Sequence, residues 1–310
     1  MSNPSSSFEP YRRRLLGLAY RMLGSVADAE DAVQDTYLRW HATDRDKVSD
    51  PRAFLMTTTT RICLDMLTSA RARREKYVGP WLPEPVVDTA ALAPDSQTEL
   101  AEDLSVALLL TLDRLSPLER AAFLLHDVFE FRFSEVAAAL ERSETACRQL
   151  AARARAHVRA VRPRGTTAPL ARRGEIDPKH EQLMSAFVAA SRSGDLNALT
   201  QLLASDVRVV TDGGGKVPAA LNVLEGADRA AQFLVGATRK GWRDEFRLRF
   251  ATINGLPGVI VDSPQGPVQT AAFEIDGEVI RALYVVRNYE KLRHLVAPPA
   301  TSPSDLERQA

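Results

Sequence analysis

Residues 133–162, FSEVAAALERSETACRQLAARARAHVRAVR, constrain the fold more than any other stretch of the chain. The pattern predicts two helices joined by a tight turn. Ser134 starts the first helix, with Val136, Ala137 and Leu140 on one side, and Glu141-Arg142-Ser143 forms the turn. Ser143 is placed to cap the second helix through its hydroxyl. On that helix Cys147, Leu150, Ala151, Ala154, Val158 and Val161 recur at helical spacing as an inward stripe. Arg148, Arg155, Arg159 and Arg162 fall on a different stripe, and no acidic residue occurs from Gln149 through Arg173. A short helix, a tight turn and a cationic second helix form the helix-turn-helix layout, whose second helix enters a major groove. The alternative is an alanine-rich helical hairpin with a solvated arginine face. Glu144, Thr145, Arg148 and Gln149 lie on the first turns, where base edges are reached, and Arg153, Arg155 and Arg159 lie further along, where phosphates would be. This placement favours a DNA-reading element.

The rest of the chain supplies company for that element. In residues 8–40, two helices break at Gly24-Ser25; Asp28, Asp31 and Asp35 then form an acidic ridge with Gln34 beside it. The ridge reads either as carboxylates near a helix N-terminus or as a docking surface for a basic protein. Asp50-Pro51 opens the next helix. The β-branched run Thr57–Thr60 is expected to interrupt it, and Arg61, Arg71, Arg73, Arg74 and Lys76 load its far end with charge suited to melted DNA. Four prolines mark residues 77–98 as a linker. Its Trp81-Leu82 pair is out of place unless it docks on something. Ser116, Pro117 and Glu119 spell a capping box that splits two helices within 99–131.

After a second linker, 164–178, the pattern changes. Helices at 181–193 and 195–203 lead into alternating Val207 and Val209 and the turn Asp212-Gly213-Gly214-Gly215-Lys216. A helix near 226–239 precedes strand-like runs at 244–253, 257–262, 267–275 and 278–287. Turn dipeptides Asn254-Gly255 and Asp276-Gly277 separate runs of this set, which predicts an α+β domain with helices against one curved sheet. The glycine run lacks the upstream glycine and the following Ser/Thr of a phosphate loop. Aspartates beside glycine, Asp212 among them, are usually turn residues.

Composition narrows the classes. Forty basic and forty acidic residues cancel, so the basic block is local. No apolar run approaches the ~20 residues of a membrane span. The N-terminus has no apolar signal core. Cys63 and Cys147 sit in helical patterns, which argues against a disulfide and for a reducing cytoplasm. Five scattered histidines offer no zinc spacing, so no metal or cofactor is expected.

Three segments resemble the extracytoplasmic-function (ECF) sigma factors of bacterial RNA polymerase: DAEDAVQDTYLRW (28–40) their core-binding σ2 helix, DPRAFLMTTTTRICLDMLTSARARRE (50–75) the promoter-melting and −10 segment, and residues 115–156 σ4. The C-terminal third resembles a SnoaL-like, NTF2-type cone. GPWLPEP (79–85), DGGGK (212–216) and NYEKL (288–292) resemble the motifs of the SigJ-type group, which carries that domain fused. Two positions depart: Ile62 stands where many ECF σ2 domains have asparagine, and Tyr289-Glu290 where the tail motif has Pro-Asp.

The resemblance implies a multidomain chain with two all-α sigma domains followed by the α+β cone. The expected boundaries are σ2 at 8–76, linker 77–98, σ4 at 99–163, linker 164–178, the SnoaL-like domain at 179–295 and a disordered tail at 296–310. It implies a transcription initiation factor rather than an enzyme. Asp28, Asp31, Gln34 and Asp35 would dock on core polymerase (β′ and β subunits). Glu144, Thr145, Arg148, Gln149, Arg153, Arg155 and Arg159 would bind the −35 element, and Arg61, Arg71, Arg73 and Arg74 the −10 region. Trp81, Leu82, Pro83, Asp212, Gly213, Gly214, Gly215, Lys216, Asn288, Lys291 and Leu292 would be regulatory, through an intramolecular contact of the cone with σ2 and σ4. No membrane partner, no separate anti-sigma factor and a cytoplasmic monomer are expected. A duplex-binding helix-turn-helix regulator with a ligand-sensing domain and an enzyme controlling its own expression are the alternatives. The σ2-like N-terminus argues against the first and the absence of histidine from the strand segments against the second.

Overall fold

The computed structural model describes residues 4–74, 77–87, 104–161 and 176–295; side chains are described from Ser7 to Thr68 and, in the third segment, up to Ala160. Three helices form the first unit: α1 (Pro4–Leu23), α2 (Val26–Ala42) and α3 (Pro51–Arg74). Gly24 ends α1 at φ +70°, with its N–H on the Tyr20 carbonyl, and Ser25 caps α2 by accepting from the Asp28 N–H.

The threonine run does not interrupt α3. Thr58, Thr59 and Thr60 donate their hydroxyls to the carbonyls four residues back, at 2.8, 2.9 and 2.8 Å. Thr59 also meets Thr36 of α2 at 2.9 Å. Thr59 and Thr60 are fully buried, so packing between helices overrides their poor intrinsic propensity and removes them from any DNA-facing surface.

The second unit comprises α4 (Val106–Asp113), α5 (Pro117–Phe123), a π-turn (Leu124–Val128), α6 (Phe133–Leu140) and α7 (Glu144–Val161). The Ser116–Glu119 capping box forms as expected. The α6 helix begins at Phe133, one residue before Ser134. Glu141 turns the chain at φ +54°, and the Ser143 hydroxyl accepts from the Ala146 N–H to cap α7. Cys147, Ala151 and Ala154 are fully buried, so the inward stripe packs as read. One apolar core runs through both helical units, from Phe8 and Leu15 to Leu150 and Val158.

The third unit is α+β. Helices α8 (Pro178–Ser193), α9 (Leu196–Leu202) and α10 (Ala227–Gly241) accompany strands β1 (Leu203–Asp212), β2 (Leu224–Glu225), β3 (Arg247–Ile253), β4 (Leu256–Ser263), β5 (Gly266–Asp276) and β6 (Val279–Val286). The sheet order is β2-β1-β6-β5-β4-β3. Strands β3 to β6 form the expected meander, and β1 joins its end by parallel pairing with β6. Side chains alternate across a sheet. One face packs on this unit's own helices through Val207, Val209, Phe273 and Leu283. The other carries Val210, Ile260, Ala282, Tyr284 and Val286, and is covered by Leu82 of the linker and Val106 of α4.

Candidate regulatory clamp and nucleic-acid interface

Residues 77–87 form a strap whose polar groups are gripped on two sides. The grip from the α+β unit centres on Asp212 at the end of β1. Parallel pairing delivers the end of β6 beside it, and the N–H groups of Arg287 and Asn288 donate to the Asp212 carbonyl at 2.7 and 3.1 Å. The Asp212 carboxylate is completely buried. Its Oδ1 accepts from the Tyr77 hydroxyl at 2.6 Å, and its Oδ2 accepts from the Leu82 N–H and Lys291 Nζ, each at 2.8 Å. Lys291 also donates to the Leu82 carbonyl and lies over the rings of Trp81 (4.4 Å) and Tyr77 (5.0 Å). Asn288 Nδ2 donates to the Tyr77 hydroxyl at 3.0 Å. Burial, then the hydrogen bond to Asp212, raises the Tyr77 phenol well above its ordinary range, so it stays neutral.

The glycine run serves close approach. A Cβ on Gly214, whose φ is +60°, would stand 2.4 Å from Asn288 Nδ2, and one on Gly213 would stand 2.0 Å from the Val217 carbonyl oxygen. Lys216 turns away to pair with Glu290 and lies 5.5 Å over the Tyr289 ring. Its hydrogen bond holds the Glu290 carboxyl below the usual range. Asp212 is therefore not the solvated turn residue that its glycine neighbours suggest.

The other grip comes from the first helical unit and the β3–β4 turn. Trp81 lies against Gly24, where a Cβ would stand 2.4 Å from the indole edge. The Glu84 carboxylate accepts from the Val26 N–H at 2.7 Å, its N–H donates to the Gly24 carbonyl at 2.9 Å, and its carbonyl accepts from the Tyr20 hydroxyl at 2.6 Å. Asn254 closes the circuit: its Nδ2 donates to Tyr20 Oη at 2.8 Å, its N–H donates to the Val86 carbonyl at 2.8 Å, and its Oδ1 accepts from the Val86 N–H at 3.1 Å. His294 Nε2 contacts the Pro85 carbonyl at 2.7 Å. Leu82, Pro83 and Leu292 are buried within this sandwich.

The residues expected on nucleic acid divide into exposed and engaged sets. Thr145, Arg148, Gln149 and Arg159 are exposed on α7, with Glu144 half-buried beside them. Arg148 pairs with Glu144 at 2.7 Å and lies over the Phe133 ring. Arg153 instead holds Glu119 at 2.7 Å and Arg155 holds Asp127 at 2.6 Å. Arg61 reaches across to the helix-turn-helix: its guanidinium donates to the carbonyls of Ala138 and Ala139 and lies 3.1 Å from the Glu141 carboxylate. Arg52 supports the same packing by donating to the Phe129 carbonyl at 2.8 Å. The side chains of Arg71, Arg73 and Arg74 lie outside the described residues, as do linker residues 88–98, the 164–175 segment and the 296–310 tail. Asp31, Gln34 and Asp35 are exposed in a row on α2, with Asp28 half-buried at its start.

Sequence reasoning assigned no functional role to Tyr20, Gly24, Tyr77, Glu84, Glu141, Asn254 or His294. Gly24, Glu141 and Asn254 carried only a break or turn signal, and Glu84 stood inside the Pro-rich motif. Cys63 and Cys147 are free and buried. Among the described residues no cluster suits a metal ion and no helix is long and apolar enough to cross a membrane.

The three-helix unit and the helix-turn-helix unit each match a region of the sigma class, the bacterial transcription initiation factors. Sigma-70 region 2 matches residues 8–73 and Sigma-70 region 4 matches residues 105–158. The chain is 40% identical to the ECF RNA polymerase sigma factor SigJ of Mycobacterium tuberculosis, covering 92% of both chains. It is 28% identical to the probable ECF sigma factor SigI of the same organism over 91% of this chain and 92% of that one. The crystal structure of M. tuberculosis SigJ superposes with a TM-score of 0.68 at 35% identity, covering 93% of this chain and 98% of that one. The chain belongs to the ECF RNA polymerase sigma factors.

Proposed function

We propose that the chain directs promoter-specific initiation by core RNA polymerase and that the arrangement described above is its closed, resting form. Asp28, Asp31, Gln34 and Asp35 dock on the β′ subunit. The exposed first turns of α7 read the −35 element. Arg61, with the basic end of α3, engages the −10 region. The α+β domain acts in cis on this activity rather than as an enzyme, and a separate anti-sigma partner is then not required of the cytoplasmic monomer.

The observation that carries this reading is the double grip on the strap. The segment that joins the two DNA-binding units is held by Tyr20 and the Gly24–Val26 corner on one side and by Asp212, Lys291 and Asn254 on the other. In that state Arg61 is occupied by the helix-turn-helix turn, so opening must precede its use on DNA.

The test is run-off transcription with bacterial core polymerase on a promoter library, using the full chain and its Lys291→Met variant. Promoter-specific transcripts that need the added protein, with an output changed by the variant, are expected. If neither protein directs a transcript, the initiation role fails. If both direct it equally, control by the clamp fails.

A further inference from the structure

The α+β unit encloses a cavity of about 370 Å3 between α8, α10 and the sheet, on the face opposite the strap. Its wall is mainly apolar, including Phe187, Phe233, Phe273 and Leu283. Few polar side chains, Ser191, Thr211, Thr238 and Gln269 among them, interrupt it. The lining includes two guanidinium groups, Arg192 and Arg287, and no carboxylate or histidine. Arg192 lies 4.5 Å over the Trp242 ring. An adjoining open cleft shares Arg192, Thr238 and Trp242 and adds Arg239 and Asp244, which provides a way in.

We propose that this cavity binds a small apolar carboxylate, alkyl or aryl. Its anionic end pairs with the guanidinium groups of Arg192 and Arg287, and its apolar body lies along the phenylalanines. The volume suits a small ligand, since such sites begin at about 300 Å3. The two cations, with no acid beside them in the lining, select negative charge, and the wall selects an apolar remainder.

The cavity also shares structure with the clamp. Arg287 Nη1 holds the Pro218 carbonyl, while its own N–H donates to the Asp212 carbonyl. Val217, Pro218 and Ala219 line the cavity and follow the glycine run that supports Asp212. A carboxylate that engages Arg287 therefore pulls on the loop behind the strap. This coupling rests on the regulatory reading above; the binding site does not.

Calorimetric titration of the full-length protein with decanoate and 2-naphthoate, and with decanol as the neutral control, tests the site without polymerase. At least one carboxylate is expected to bind saturably at one per chain, and decanol at least about tenfold more weakly than decanoate. Arg192→Gln and Arg287→Gln are each expected to weaken carboxylate binding about tenfold, and Ala237→Trp, which fills the cavity from α10, to abolish it. A melting curve establishes that the Ala237→Trp protein is folded, and Arg192→Gln provides the decision if it is not. The site is overturned if neither carboxylate binds saturably or if binding ignores these substitutions. Equal binding of decanol overturns the anionic assignment. For the coupling, the bound carboxylate should change run-off output of the wild-type chain and leave Lys291→Met unmoved; an unchanged wild-type output, with binding intact, overturns coupling alone.

Discussion

The guanidinium of Arg61 lies 3.1 Å from the carboxylate of Glu141, joining α3 to the turn of the helix-turn-helix. Both side chains are substantially exposed, at 44% and 72%, so the charge pair itself contributes about 1 kcal/mol or less. The bonds from Arg61 to the Ala138 and Ala139 carbonyls add the larger share, since they cap the C-terminus of α6, where a cation is favoured.

Separate outcomes follow for the two partners. Glu141→Gln should leave thermal stability within about 1 kcal/mol and raise run-off output by easing release of Arg61. Arg61→Ala should lower output despite opening the same contact, because it removes a cation proposed to engage the −10 region. Equal effects of the two substitutions would show that Arg61 acts only in closure.

Lys291→Met leaves the Asp212 carboxylate buried without its cation, and a loss of about 3–5 kcal/mol is expected in urea denaturation of the clamped unit. The double variant Asp212→Asn/Lys291→Met should lose less than the sum of the single changes, because no buried charge is left over. Additive losses would mean that the two groups are not energetically coupled.

Gly24→Ala places a side chain at φ +70° and drives it into the Trp81 ring. A destabilisation of about 1–2 kcal/mol is expected from backbone strain and lost packing. Red-shifted tryptophan emission should accompany it and disappear in a Trp81→Phe background. An unchanged spectrum would place Trp81 elsewhere in solution.

Glu119 gives a pH signature. Hydrogen bonds from Ser116, and then Arg153, hold its carboxyl below the ordinary value of 4.5. A depressed folded value means that its contribution is complete above the unfolded value and is lost as pH falls through the folded one. Glu119→Gln should therefore cost up to about 1 kcal/mol at pH 7. Its melting temperature should approach that of the wild type as the pH falls from 4.5 through the lower folded value; a difference that persists in acid would assign the loss to packing.

The helix-turn-helix and the meander were legible because both depend on local periodicity and turn chemistry. Ser143 and the stripe from Cys147 to Val158 need only the helix they belong to. The Thr57–Thr60 run misled for a complementary reason: intrinsic propensity disfavours it, while a buried contact with Thr36, 23 residues away from Thr59, stabilises it. Asp212 read as a turn residue because its partners, Tyr77 and Lys291, are 135 and 79 residues distant. Likewise the sequence placed Arg61 on the −10 region and Arg153 and Arg155 on the −35 element. It carries no sign that Glu141, Glu119 and Asp127 meet them in the folded chain.

Docking of residues 77–87 also puts two separate grips on neighbouring residues: Asp212 and Lys291 hold Leu82, and the Gly24–Val26 corner holds Glu84 two positions on. Grips so close along one chain cannot shift independently. Any signal that works through the strap must act by trading specific contacts, Trp81 against Gly24 and Glu84 against the start of α2.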